Sequence, residues 1–407
     1  MVVEFRMFRR SRVALNWRLA SANPPVTIRQ IRETLERHVR TQVKPSMIPK
    51  TPLEGHSVDH GRYKTVIPLK TQPEIRLHYT NDAQLVRLGV ILEDLDLFAG
   101  WIAYKHNQAA SISMDALADE PMCIVTACVD KIDFHSKTIT LDQDIEMHGH
   151  VSWVGRSSME ITMKLQQMPN DCSDPLHVLT AKFVMVSRDP MMNKAVACVP
   201  LKVESQEEEK MFQIGADSAK RRKHLVTNSL LSKPPTEAER SMLHDIFLKT
   251  LDQKNLSARF LPENHAWLED STLKNSIFCF PISRNIHGKI FGGYVMRKAL
   301  ETAFANAAIF CKQRPHLRAM DDVIFKKSVE IGGLLLLNSM VCYSVDRSMQ
   351  LSVNAQVLDL QTGDCETTNT FQFTFCADRE VFIVTPKTYA EGMLYLEAKR
   401  HFDRNKP

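Results

Sequence analysis

The run Asn285-Ile-His-Gly288-Lys-Ile-Phe-Gly292-Gly293 leads straight into FGGYVMRKALETAFANAAIFCK (291–312), a segment of helical period. Glycines at a helix start leave backbone N–H groups uncovered, and the helix dipole adds roughly half a positive charge there. Such a place suits an oxyanion or a polarised carbonyl. It also suits a plain glycine turn that lets a helix approach a sheet. The run lacks the GxxxxGK[ST] spacing of a phosphate loop and the strand–helix–strand setting of a dinucleotide fingerprint. Earlier, LGVILEDLDLFAGWIAYKH (88–106) carries Glu93, Asp94 and Asp96 on a helix whose apolar stripe is Ile91, Leu95, Phe98 and Ile102. A carboxylate drawn into an apolar interface acts as a general base on water or as a nucleophile. Three solvated surface acids are the plainer alternative.

The elements that must position these residues occur twice. At a shift of 190 residues, VSWVGRSSMEITM (151–163) lies on VCYSVDRSMQLSV (341–353), Thr180 on Thr370 and Phe183 on Phe373. A constant offset with matching strand parity implies two copies of one α+β unit of about 120 residues. The first copy has the helix 88–106 and strands in 63–70, 123–134, 144–154, 159–167 and 177–189. The second has the helix 291–312 and strands in 276–283, 323–329, 334–345, 349–360 and 367–377. MEITMKLQ alternates strictly, as a half-buried strand does. Each helix should pack on the concave face of its sheet, and 27–40 reads as one more helix.

The chain of 407 residues is 44% hydrophobic and 24% charged, an ordinary globular composition. No run of about 18 apolar residues offers a spanning helix. A net charge of +5 does not demand nucleic acid and equally suits a polyanionic small molecule. The nine cysteines form no CxxC pair and read as buried thiols in a reducing compartment, with neither disulfides nor zinc. His56 and His60 are four apart, but flanking Gly55 and Gly61 and the missing third ligand argue against a metal, and no metal site is expected. Residues 1–20 hold Arg6, Arg9, Arg10, Arg12 and Arg18 against Glu4, interleaved with apolar residues. That reads as a mitochondrial transit peptide. The expected organisation is a transit peptide 1–25, a helix and loop 26–60, unit 1 at 61–192, a charged linker with short helices 193–260, unit 2 at 261–385 and a C-terminal segment 386–407. In the linker, KRRK (220–223) resembles a nuclear signal but reads better as a solvated face.

Asn-x-x-Gly-x-x-Phe-Gly-Gly before a long helix, followed by strands with a VGRSSMEI-like run, resembles the HotDog-fold acyl-coenzyme A thioesterases. ILEDLDLFAG, VSWVGRSSMEI, FGGYVMRKA and PKTYAEGMLYLEAKRHF, in that order over roughly 60–400, resemble their tandem mitochondrial branch. The resemblance implies an α+β chain of two tandem HotDog units pairing as a pseudo-dimer. It implies hydrolysis of acyl-CoA to free fatty acid and CoA in mitochondria, in the matrix, with no cofactor beyond the CoA of the substrate. In that family the loop and helix entrance come from one unit. An acid comes from the other unit's helix, seven residues after the second glycine. In the second copy that position is Leu300, and Glu301 is about 100° around the helix. In the first copy Asn81 matches Asn285, Gln84 stands for Gly288, Leu88 replaces the first glycine of the pair, and Asp96 lies seven after Gly89. The copies are complementary in their losses. The resemblance thus assigns catalysis to Asp96, Asn285, Gly292 and Gly293, and a vestigial site to Asn81, Gly89 and Leu300. Asn285 would hold the water or the thioester carbonyl, and the Gly293 N–H, with that of Gly292, the oxyanion.

The phosphates of CoA call for cations. Arg156 with Ser157, Lys289, Lys326, Lys327 and Arg347 are candidates, each also readable as surface charge; Arg156 and Arg347 do not align at the repeat offset. Met159, Met163, Met185, Met340 and Met349 line an acyl tunnel or fill the core. His148, His150 and His287 read as fillers, and Tyr389 and Glu391 as packing across unit 2. The expected partners are an acyl-CoA substrate and further copies of the chain, with no nucleic acid and no stable membrane insertion. Two other classes stay open: a non-catalytic acyl-CoA-binding protein and, on charge alone, a nucleic-acid binder.

Overall fold

The computed structural model describes residues 26–40, 55–108, 122–130, 132–135, 139–169, 174–189, 194–227, 230, 233–255, 258–285, 288–321 and 323–405. The first half runs β1 (Val26–Thr27), α1 (Ile28–Arg40), β2 (His56–Ser57), β3 (Tyr63–Ile67), α2 (Pro73–Tyr79), α3 (Leu88–His106), β4 (Cys123–Val129), β5 (Ile132–Phe134), β6 (Ile145–Val154), β7 (Ser158–Gln167), β8 (Leu176–Arg188) and β9 (Leu201–Lys202). Helices α4 (Gln206–Thr227) and α5 (Glu237–Thr250) lead to the second half. It runs β10 (His265–Trp267), β11 (Thr272–Phe278), α6 (Gly292–Cys311), β12 (His316–Met320), β13 (Val323–Ile324), β14 (Leu334–Val345), β15 (Ser348–Leu358), β16 (Cys365–Cys376), β17 (Ile383–Thr385) and α7 (Tyr389–Arg404).

The repeat is a repeat of register. The hairpin β6–β7 slips at Val151/Trp153, and β14–β15 slips at Val341/Tyr343, 190 residues on. Ile161 pairs with Phe183, and Leu351 with Phe373. The alternation in β7 becomes a row of fully buried side chains, Met159, Ile161, Met163 and Leu165. At the seam β5 pairs with β12 and β4 with β13, so both halves share one sheet of 13 strands among the described residues. This is the α+β tandem architecture that the resemblance implies.

Helix α3 is buried on nearly every side, Glu93, Asp94 and Asp96 included. The stripe in its sequence marks only the face on its own sheet, where a Cβ at Gly149 would fall 2.5 Å from Ile102 Cδ1. Its other faces meet α6 and α1. A Cβ at Gly293 would lie 2.9 Å from the Cα of Glu93, so the two central helices approach as only a missing side chain allows.

Several expectations need correction. The run 123–134 is two strands, with a bulge in β4 between Thr126 and Cys128. The strand expected at 276–283 begins at Thr272 and ends at Phe278; Pro281–Ser283 is a 3-10 turn, as a residue without an N–H favours. Of 323–329 only Val323–Ile324 is strand, and β12 was not foreseen. Within the charged linker 193–260, the KRRK run is not a wholly solvated face. A Cβ at Gly215 of α4 would clash with Trp153, and Arg222 of the KRRK run donates to Asp130 at 2.9 Å and to Glu160 at 3.3 Å. Helix α5 opens on a capping box of Thr236 and Glu239, and Glu239 also takes the Arg400 guanidinium of α7 at 2.6 Å. The Arg-rich leader 1–25 lies outside the described residues. No described helix is long and apolar enough to cross a membrane.

Candidate active site

Helix α3 carries Asp96 to the point where the N-terminus of α6 meets it. The Gly293 N–H donates to Asp96 Oδ2 at 2.6 Å, and the Thr126 hydroxyl donates to Oδ1 at 2.5 Å. Asp96 is 1% exposed. Burial pushes its carboxyl up to about 6, against the opposing pull of the Thr126 and Gly293 hydrogen bonds; the charge of Glu93 adds to the rise. A Cβ at Gly292 would sit 3.2 Å from Asp96 Oδ2 and 3.3 Å from Phe325 Cε1, so this glycine keeps a side chain from crowding the buried carboxylate.

Glu93 and Asp94 are not surface acids. Glu93 takes Arg297 of α6 at 3.0 Å and Arg32 of α1 at 3.6 Å. Asp94 accepts from the Tyr79 hydroxyl at 2.6 Å and from Arg32 at 3.3 Å, and burial pushes it too up to about 6. The covering elements come from far along the chain, so the sequence of α3 alone hides this.

The loop before α6 is held by Asn285. Its N–H donates to the Lys289 carbonyl at 2.6 Å, its carbonyl accepts from Gly288 at 3.2 Å, and its Oδ1 accepts the Lys289 N–H at 3.1 Å. Asn81 builds the same loop in the first half through Leu85, Gln84 and again the Leu85 N–H, at 2.9, 3.1 and 3.0 Å. Gly288 has φ +71, and Gln84, its counterpart, φ +58. A left-handed position favours glycine, so the first loop keeps the shape under strain. The Asn285 oxygen is therefore spent on its own loop, a part that the sequence did not assign to it.

Thr126 was missed. It precedes the β4 bulge and pairs with Met185, whose sulfur lies 3.6 Å from its hydroxyl. In the second half Leu317, also before a bulge, pairs with Phe375, the counterpart of Met185 at the 190 offset. The mirror cleft thus has Leu317 for Thr126 and Leu300 for Asp96. Asn81, Gly89 and Leu300 do border a common cavity there. Glu301 is engaged by Arg87, by Arg297 at 3.1 Å and by Lys298 at 3.2 Å.

The candidate CoA cations are dispersed. Lys326 is exposed next to Phe325, the ring beside Gly292. Lys327 pairs with Glu366 and Lys289 with Glu330, each at 2.5 Å. Arg156 is exposed in the β6–β7 turn, beside Ser157, whose carbonyl accepts from Ser187. That turn closes the rung Met159–Met185–Thr126, on the Asp96 side. Arg347 sits in the β14–β15 turn, which closes the rung Met349–Phe375–Leu317 on the mirror side. It is not gathered with Asp96. Met159, Met163, Met185 and Met349 are buried and Met340 partly so.

His287 lies outside the described residues. His148 meets Glu146 at 3.1 Å, and burial lowers His150 to about 3. The His56 and His60 rings are 4.3 Å apart, and His56 Nδ1 meets the His106 carbonyl at 2.9 Å. Among the described residues no His, Cys, Asp or Glu group is disposed to hold a metal. The described cysteines form no disulfide.

The thioesterase superfamily profile matches residues 89–170. The chain is similar to human acyl-coenzyme A thioesterase 9, mitochondrial, at 46% identity over 343 residues, 84% of this chain and 76% of the relative. It is also similar to mouse acyl-coenzyme A thioesterase 10, mitochondrial, at 41% over 361 residues, 88% and 81% of the two chains. A solved acyl-CoA hydrolase of Staphylococcus aureus, in complex with butyryl-CoA, CoA and CoA disulfide, matches 34% of this chain and 89% of its own at 25% identity and a TM-score of 0.33. With relatives this similar over most of both lengths, the two-unit chain built around the α3–α6 contact belongs to the HotDog-fold acyl-coenzyme A thioesterases.

Proposed function

We propose that the protein hydrolyses acyl-CoA thioesters to free fatty acid and CoA at one composite site per chain. Unit 1 supplies Asp96 and Thr126; unit 2 supplies Gly292, Gly293 and the Asn285 loop. The observation that carries this reading is the Gly293 N–H bonded to a buried Asp96 carboxylate 197 residues away. Thr126 keeps Oδ1 engaged and so aims Oδ2 at the mouth of α6. When the thioester oxygen reaches the α6 N-terminus, the Gly293 N–H passes from Asp96 to the developing oxyanion. Oδ2, relieved of a donor, takes the proton of the attacking water, and the departing CoA thiolate receives it back. Direct attack by Oδ2 followed by hydrolysis of the anhydride is the alternative course. Loss of one oxyanion donor typically costs about 2.7–4 kcal/mol of transition-state stabilisation.

The reaction needs only water as co-reactant, with CoA part of the substrate. Arg156, Ser157, Lys289, Lys326 and Lys327 are the groups proposed for the CoA phosphates. Residues 1–25 are proposed as a transit peptide, which with the mitochondrial relatives supports a place in the mitochondrial matrix. Assembly of several copies and indifference to nucleic acid belong to the same reading.

The test is thiol release from a chain-length series of acyl-CoA substrates. Asp96→Ala should lose about 10²- to 10⁴-fold, the worth of a positioned general base, and Asn81→Ala should change little. Wild-type turnover in Asp96→Ala would overturn the assignment. Tight binding of every substrate with no thiol released by the wild type would make the protein a non-catalytic binder.

A further inference from the structure

The mirror cleft has lost its chemistry but not its space. A cavity of about 390 Å³ opens where Leu300 faces the start of α3, inside the roughly 300–1,000 Å³ range of small-molecule sites. Three positions of the catalytic cleft have the same replacement there: Gly292 becomes Leu88, Asp96 becomes Leu300 and Thr126 becomes Leu317. All three leucines line the cavity, together with Ile139, Phe304 and Phe375. A site that merely decays is free to close, because interiors pack densely and an apolar void costs stability. Here the nucleophilic, polar and small groups give way to branched apolar ones, and the volume remains.

The rim is different in kind. Arg87 is paired with Glu301, and Arg314 donates to Asp82 at 2.5 Å while its guanidinium lies 5.4 Å over the Phe304 ring. The Asp82 side chain is 74% exposed, so water screens that pair and Arg314 can exchange its partner cheaply. The Arg347 turn closes the strand rung that ends at Leu317 on this side. Asp82 and Glu301 line the same mouth as Arg87 and Arg314, so an anionic head would be taken by exchange for one of these carboxylates. An apolar chamber with such guanidinium groups at its mouth fits a hydrocarbon chain with an anionic head.

We propose that this second cleft is a binding site for a fatty acyl group bearing an anionic head, which it holds without cleaving. Two compounds offer that chemistry, the free fatty acid that hydrolysis produces and the acyl-CoA itself. The claim that the bound acyl group is not cleaved rests on the reading that places hydrolysis at Asp96; the claim of a second bound acyl group does not.

The experiment is equilibrium binding to the full chain carrying Asp96→Asn, with three probes: a non-hydrolysable acyl-CoA thioether, the matching free fatty acid, and CoA alone. The thioether, the fatty acid or both should occupy a second equivalent per chain, and CoA alone should not. Leu317→Trp fills the cavity and should remove that equivalent while leaving the other. Because a tryptophan there can block folding, Arg314→Glu provides the second variant, and reversing the rim charge should weaken the same equivalent by about tenfold. Sensitivity of fatty acid binding to both variants identifies the product as the occupant; sensitivity of the thioether alone identifies the substrate. A single equivalent of thioether with no bound fatty acid overturns the proposal, as does a second equivalent that neither variant alters. Residual thiol release by Asp96→Asn at the wild-type rate would instead overturn the placement of hydrolysis, and the stoichiometry would stand.

Discussion

A buried carboxylate pushed up to about 6 is a destabilising group, and the proposed hydrolysis gives it a use. In the unfolded chain Asp96 titrates near its ordinary value of 3.8; in the fold it is pushed up to about 6. Ionisation therefore opposes folding above pH 6, and the penalty disappears as the pH falls below the unfolded value. Asp96→Asn should raise stability at neutral pH by on the order of 1–3 kcal/mol, read from urea midpoints, and the gain over wild type should vanish near pH 4. The same titration should make kcat/KM climb with pH through about 6 and level off above it, because the base must be ionised; a flat profile from pH 5 to 7 would refute the base. Gly293→Ala places a methyl against the Glu93 backbone, and should cost about 1–3 kcal/mol as well as most of the hydrolysis. The acid and the glycine pair were marked by the family resemblance, which places a carboxyl seven residues after the second glycine; residue type and spacing alone left a plain glycine turn and three surface acids open. Thr126 was not, because a lone hydroxyl in a strand gains meaning only from the bulge that turns it toward Asp96.

At the level of elements, long periodic segments declared themselves, and contacts between distant segments did not. The sequence placed α3 and α6 within a residue of their ends, yet it cast α4 as part of a charged linker and its KRRK run as a solvated face. Charge-rich composition conceals that Arg222 reaches Asp130 and Glu160 on the sheet. Arg222→Ala should destabilise the fold by on the order of 2–3 kcal/mol, since it strips a partner from two buried acids; Lys182 and Arg221 keep the loss from being larger. Thermal melts of Arg222→Ala against Lys220→Ala, whose target is exposed, check this directly. Helix α5 was readable only as one of one or two helices. The Thr236–Glu239 box that starts it is a local signal, and the Arg400 ion pair that docks it is not.

Across the whole molecule, the offset of 190 identified two copies of one module, but it carries no statement of which edges meet. The loops repeat at 204 and the strands at 190, so the first half has extra chain between its helix and its hairpin, and a single alignment cannot hold both. The seam through β4, β5, β12 and β13 and the contact of α3 with α6 are properties of folded surfaces. That contact also has a bearing on timing. The acid emerges from the ribosome about two hundred residues before the backbone amide it faces, so under the proposed composite site a nascent or truncated chain ending ahead of α6 should release no thiol. On that proposal, competence to cut thioesters should arrive late and all at once, when the rear module docks on the front one.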